Sequence, residues 1–300
     1  MNFHDLLQKM VQHEASDMFV TAKLAVSAKI NGELIAIDEN VLSAEQALGL
    51  VHDAMSEKQK REFDEDKECN FAISIDGIGR FRVSAFWQRD MAGMVIRRIV
   101  TEIPEADELG LPSVLKDVVM SKRGLVLFVG GTGTGKSTSM AALIGYRNKN
   151  SRGHILTIED PVEFVHEHGK CMVTQREVGL DTESFDAALK SSLRQAPDVI
   201  LIGEIRNQET MEHALSFAET GHLCIATLHA NNANQAIDRI MHLVPAEQHG
   251  KLLFDLALNL RGIVAQQLIP TRDGNGRVAA IEILLNSPYI AELIKKGDVI

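Results

Sequence analysis

Cysteine is scarce in this 300-residue sequence: Cys69, Cys171 and Cys224 are odd in number, widely spaced and in no CxxC pair. That excludes a disulfide framework and a zinc ribbon, and it suits a reducing cytosol. An export signal is missing too, because the N-terminus MNFHDLLQKMVQHEASD carries charge and histidine where such a signal needs an apolar stretch. No apolar run approaches the length that spans a bilayer, and neither a long-period repeat nor a low-complexity tract is present. Positive charge is in deficit: 31 Lys and Arg stand against 41 Asp and Glu, a formal net charge of -10. This argues against a broad nucleic-acid-binding face and towards protein partners, although a local basic stripe is compatible with an acidic total.

What is present is the balance of a soluble globular protein, 45% hydrophobic and 24% charged, long enough for one large domain or two ordinary ones. Phe3, Leu6, Leu7, Met10 and Val11 recur at helical spacing. AKINGELIAI places Asn31-Gly32 between two partly alternating segments, a hairpin signal. Ser43 with Gln46, and Ser56 with Gln59, predict two capping boxes that open helices. FAISIDGIGRFRVSAF alternates apolar and polar residues on either side of a turn at Asp76 to Gly79, and MVIRRI predicts a further strand. Residues 1–100 thus read as a small α+β domain. TEIPEADELGLP, residues 101–112, is rich in Pro, Gly and acid and reads as a linker and natural hinge. From residue 113 to 300, apolar strands (LVLFV, HILTI, VILIG, CIATL) alternate with helical patterns (STSMAALIGYRN, SFDAALKSSLRQ, ETMEHALSFAET), which predicts a mainly parallel α/β sheet with helices on both faces.

GGTGTGKS, from Gly130 through Gly131, Thr132, Gly133, Thr134, Gly135 and Lys136 to Ser137, matches the P-loop pattern GxxxxGK[ST]. It follows an apolar strand and opens a helix whose next residue is Thr138. The motif therefore predicts ATP bound by backbone amides and a helix N-terminus, with Lys136 on the β- and γ-phosphates and the Ser137 hydroxyl on Mg2+. Hydrolysis needs more, namely a group for the attacking water and a positive charge on the transferring phosphoryl. ILTIEDPVEF ends a strand in Glu159, Asp160 and Glu163, three carboxylates that would repel a nucleotide unless metal or protons offset them. Glu159 and Asp160 could equally cap a turn. VILIGEIR ends its strand in Gly203 and Glu204, where nucleotide-hydrolysing domains usually carry an aspartate for the metal. His222 and His229 flank CIATL; either is a candidate sensor of the γ-phosphate or an ordinary structural histidine. In HEHGKC, His166, His168 and Cys171 are ligand types, but three on one short loop lack a fourth and match no zinc spacing. Trp87 and the scattered methionines read as core or interface residues.

Taken together, these stretches resemble the hexameric secretion ATPases, and among them the type IV pilus retraction ATPases. The resemblance runs through SDMFVT, GRFRVSAF, RGLVLFVGGTGTGKST, TIEDPVEFVHE, TQREVG, ETGHLCIATLHANNANQAIDRI and GRVAAIEIL, nearly the whole chain. It implies a PAS-like N-terminal α+β domain, a RecA-like ATPase domain and a ring. It also implies that Glu163 activates the water and that Glu204 lies near the metal and acts on it through water. Arginines of one subunit would complete the pocket of the next: Arg82 and Arg97, with Arg80 and Arg98 less securely matched and Arg98 better read as a solvated strand edge. The implied partners are copies of this chain, a principal retraction ATPase and the inner-membrane pilus platform protein, reached from the cytoplasm. The tetracysteine zinc module of the extension and type II secretion branch is absent. NLRGIVAQQLIP, together with SPYIAELIKKGDVI, resembles the accessory retraction branch rather than the principal motor, and the chain reads as stopping within a continuing domain. Two alternatives stay open, a nucleotide-dependent assembly or coupling factor with weak hydrolysis and a nucleic-acid translocase.

Overall fold

The computed structural model describes residues 2–30, 32–99, 102–272 and 276–298; Asn31 of the expected Asn-Gly turn lies outside them. The chain divides into two compact units, Met1–Thr101 and Glu102–Ile300.

In the first unit the elements are α1 (Phe3–Gln12), β1 (Asp17–Thr21), β2 (Ala25–Ile30), β3 (Glu33–Val41), α2 (Ala44–Asp53), α3 (Glu57–Asp66), β4 (Glu68–Ile75), β5 (Gly79–Gln88) and β6 (Met91–Ile99). Both capping boxes form, with the Ser43 and Ser56 side chains accepting from the Gln46 and Gln59 amides and each Gln side chain returning to its cap. The strands make one six-stranded sheet in the order β3-β2-β1-β6-β5-β4, with antiparallel pairs throughout. Leu6, Leu7 and Met10 of α1, Val51 of α2 and Phe63 of α3 are buried with Phe81, Val83, Met94 and Ile96 of the sheet. Each such side chain, fully buried, contributes roughly 1.5–3 kcal/mol.

The second unit contains α4 (Val114–Val119), β7 (Gly124–Val129), α5 (Lys136–Asn150), β8 (Gly153–Glu159), β9 (Cys171–Glu177), α6 (Phe185–Ser192), β10 (Val199–Ile202), α7 (Gln208–Glu219), β11 (Leu223–Leu228), α8 (Ala233–Met241), α9 (His249–Asn259), β12 (Leu260–Pro270), β13 (Arg277–Leu285) and α10 (Pro288–Lys296). Its seven strands run β13-β12-β7-β11-β10-β8-β9, all parallel except the β12–β13 pair. Each central strand alternates between two cores. Leu125, Leu127 and Val129 face one with Ile200 and Ile202, while Val126 and Phe128 face the other with Val199 and Leu201. Burial on both faces is why these strands read as unbroken apolar runs.

The expected linker is shorter than its composition suggests. From Glu102 onward the chain belongs to the second unit: Ala106 and Leu111 are buried in its core, Glu105 pairs with Lys149, and Asp107 accepts from Lys116 at 2.6 Å. The acidic residues solvate the outer side of a turn whose small and apolar residues pack inward.

Candidate nucleotide site

Parallel strands present their C-terminal ends to one edge of a sheet, and ligands bind there. β7 delivers the P-loop to that edge, β8 delivers Glu159 to Glu163, β10 delivers Gly203 and Glu204, and β11 delivers His229. Lys136, Ser137, Glu159, Glu163, Glu204 and His229 line one cavity of about 310 Å³.

The loop can take its shape only with glycine. Gly130 has φ 153°, and a Cβ there would lie 2.5 Å from the Gln266 carbonyl oxygen; Gly135 has φ 83°, and its Cβ would lie 2.8 Å from Gln266 Nε2. β12 thus presses directly against the loop. Gln266 itself is buried and donates from Nε2 to the Thr134 carbonyl at 2.9 Å. Lys136 Nζ donates to the Gly130 and Gly131 carbonyls at 2.8 and 2.7 Å. Burial lowers its pKa, and Glu204 and Glu163 act against that shift.

The acids are held differently from one another. Glu159 is enclosed, and its Oε1 accepts from Thr157 Oγ1 at 2.6 Å and Gln175 Nε2 at 3.2 Å. Burial pushes its pKa up, against the lowering effect of those two bonds, and Glu163 raises it further. A carboxylate so committed serves to hold the end of β8. Glu163, four residues on and past the cis Asp160-Pro161 peptide, is exposed to the cavity. Glu204 is mostly buried: Oε1 lies 3.1 Å from His229 Nε2, and Oε2 accepts from Arg206 Nε at 2.7 Å. Arg206 Nη1 reaches Asp160 Oδ2 at 3.4 Å.

One reading of the sequence needs correction on geometry. His222 precedes β11 while His229 follows it, so six residues of strand, roughly 20 Å at the rise of a β-strand, separate them. His222 lies at the opposite edge, where its Nδ1 is within hydrogen-bond distance of the Phe217 carbonyl and Thr220 Oγ1. It does not line the cavity. At Gly203 the strands crowd together: a Cβ there would lie 3.2 Å from both Glu159 Cα and the Ile158 carbonyl oxygen. The glycine lets the ends of β8 and β10 close on each other.

Among the described residues, His166, His168 and Cys171 do not group closely enough to hold a metal ion. His168 Nδ1 accepts from the Val173 amide, Cys171 Sγ donates to the Ser151 carbonyl, and Asn148 binds the loop backbone at Glu167, Gly169 and Cys171.

Arg82 and Arg97 lie in the first unit, opposite each other on β5 and β6, and Arg97 Nε donates to Asp17 Oδ1 at 2.7 Å. Sequence assigns no role to three residues of the second unit. Gln175 donates to Glu159 and to the Phe164 carbonyl and accepts from the His166 amide, fixing the acidic loop. Gln266 braces the P-loop, and Arg206 binds two of the acids. Polar residues on otherwise apolar strands were the available signal for the two glutamines. Arg206 had only its place two residues beyond Glu204.

The type II/IV secretion system protein family matches residues 2–294. The chain is 62% identical to the type IV pilus ATPase PilU of Pseudomonas aeruginosa, covering 100% of itself and 78% of that protein. It is 43% identical to the type IV pilus retraction ATPase PilT of the same organism, covering 100% of itself and 87% of the relative. Among solved structures, the pilus retraction motor PilT with bound ADP superposes with a TM-score of 0.95 at 40% identity, over 100% of this chain and 87% of that one.

Proposed function

The chain belongs to the type II/IV secretion system protein family, and on that footing we propose that it is an ATP-hydrolysing motor subunit that powers or assists type IV pilus retraction. The observation that carries the reading is the convergence of Glu163, Glu204 and His229 from three strand ends on a cavity floored by Lys136 and Ser137. The P-loop amides and the N-terminus of α5 receive the phosphates, and Lys136 offsets their charge. Glu163, exposed to the cavity, takes the proton of the attacking water. Glu204 with His229 fixes the polar wall opposite the loop. The acids outnumber the cations here, so a divalent cation fits the site; Ser137, and Glu204 through water, would hold Mg2+, which supplies charge neutralisation of the phosphates.

Arg82 and Arg97 act on the nucleotide of a neighbouring subunit in a homo-oligomeric ring, which makes each site depend on the next. The ring works in the cytoplasm beside a principal retraction ATPase and against the inner-membrane platform protein. Among the described residues no helix is long and apolar enough to cross a membrane.

The test is ATP turnover by the purified protein and its Glu163→Gln, Glu204→Gln and Lys136→Ala variants, together with nucleotide binding. The motor reading expects both Gln variants to bind ATP while losing most turnover, and Lys136→Ala to lose both. Normal motility with either Gln variant, when Lys136→Ala abolishes it, would instead support a coupling factor that needs binding alone.

A further inference from the structure

The cavity wall carries an electrostatic problem. Glu159, Asp160, Glu163 and Glu204 all line the space that is to receive a triphosphate, and Lys136 lies across it on the loop. Glu159 meets the problem by burial, which favours its neutral form. Asp160, Glu163 and Glu204 are left; of these, Asp160 just past β8 and Glu204 just past β10 are bridged by a single cation. Arg206 donates to Glu204 Oε2 at 2.7 Å through Nε and reaches Asp160 Oδ2 at 3.4 Å through Nη1.

We infer that Arg206 is a positioning residue for hydrolysis, clamping Glu204 and Asp160 so that Glu204 presents its other oxygen to His229. The inference rests on the ATPase reading of the same site. Two geometric facts and one general property of the contact support it. Arg206 engages the Glu204 oxygen that His229 does not, so the carboxylate is held from both sides. A charge-assisted Arg–carboxylate contact is directional and constrains the rotamer as well as the charge. The clamp also spans a junction that is already tight: the Gly203 amide donates to the Ile158 carbonyl at 2.8 Å, and the Ile205 amide donates to the Thr227 carbonyl at 2.9 Å. The backbone between Gly203 and Ile205 is therefore pinned to β8 on one side and β11 on the other, and Arg206 leaves it from a fixed origin.

Arg206 is a different kind of cation from Arg82 and Arg97. Its partners are carboxylates of its own chain, so its effect should appear in each subunit without a neighbour. Lysine at this position would retain charge but lose the fork that reaches two acids at once, so it should recover only part of the function.

The experiment measures kcat and KM for ATP, and the Kd of a non-hydrolysable ATP analogue, on the full-length wild type and on Arg206→Gln, Arg206→Lys, Glu204→Gln and the Glu204→Gln/Arg206→Gln double variant. The expected result is a fall in kcat of about tenfold or more for Arg206→Gln with Kd within about threefold of wild type, and partial recovery for Arg206→Lys. The double variant should be no slower than Glu204→Gln alone, because a residue acting through Glu204 has nothing left to position. Independent, multiplying losses in the double variant, or a loss of binding in step with kcat, would overturn the clamp, as would full activity of Arg206→Gln. If Arg206→Gln does not fold, full kcat in Arg206→Lys would overturn it equally. Failure of the underlying reading looks different: Glu204→Gln would then hydrolyse ATP like the wild type.

Discussion

Arg82 and Arg97 stand directly opposite each other in the antiparallel register of β5 and β6. Like charges so placed repel, at a cost of a fraction of a kcal/mol to about 1 kcal/mol. Asp17, opposite Arg97 on β1, relieves one of them. The proposed trans role of both arginines can be tested by mixing. Arg82→Ala and Lys136→Ala proteins should each be nearly inactive alone, yet a mixed ring should regain turnover, because the Lys136→Ala subunit lends its arginines to a neighbour with an intact P-loop. Activity in the mixture no greater than that of its parts would dismiss the trans role. Arg82 is the cleaner choice, since removing Arg97 also strands the mostly buried Asp17.

His166 gives the fold a pH dependence of its own. Burial pushes its pKa from 6.5 down to about 4. Between those values the unfolded chain binds a proton that the folded chain does not. Stability is therefore intact above pH 6.5 and lost as pH falls towards 4, by a total on the order of 3 kcal/mol. Denaturant unfolding at pH 7 and pH 4.5 should show a smaller drop for His166→Gln than for wild type. Equal drops would mean that His166 titrates normally.

Much of this was legible beforehand, and the exceptions share a physical origin. The P-loop and the strands after which Glu163, Glu204 and His229 stand were readable because parallel strands buried on both faces are written as apolar runs. β9 escaped because it is an edge strand: Met172 faces out and Thr174, Gln175 and Arg176 are only partly buried, so CMVTQRE has neither alternation nor a run. Sequence placed His222 and His229 symmetrically about CIATL, and strand direction decides between them. That direction was implicit in the alternating pattern of strands and helices, since the ends that gather a site are the C-terminal ones. Gln266 could not be assigned a role from NLRGIVAQQLIP, because its contact with the P-loop joins residues 132 positions apart.

Glu159 should prove dispensable for chemistry and costly for stability when charged. Its raised pKa means that the folded protein retains a proton the unfolded chain gives up above pH 4.5, so this group's contribution declines as pH rises. Glu159→Gln removes the charge and keeps an oxygen to accept from Thr157 and Gln175. The variant should melt a few degrees above wild type at pH 8 and level with it near pH 4.5, while hydrolysing ATP. Loss of turnover comparable to that of Glu163→Gln would make Glu159 a participant in the reaction.

Gln266 provides the remaining test, because it separates the shape of the phosphate cradle from the acids that act on its contents. Its carbonyl and side chain occupy the places where Cβ atoms of Gly130 and Gly135 would stand, and its Nε2 holds the Thr134 carbonyl. Gln266→Leu removes that donor and leaves a loop carbonyl unpaired, at about 1–3 kcal/mol. Gln266→Glu does more harm, since it turns an acceptor on an acceptor and adds negative charge under the phosphates. Glu163, Glu204 and His229 come from other strands and keep their positions in both. The two variants should therefore weaken nucleotide binding, Gln266→Glu more than Gln266→Leu, with KM rising about tenfold and kcat at saturating ATP changing far less. A fall in kcat at unchanged KM would show that β12 sets the geometry of the reacting groups rather than that of the cradle.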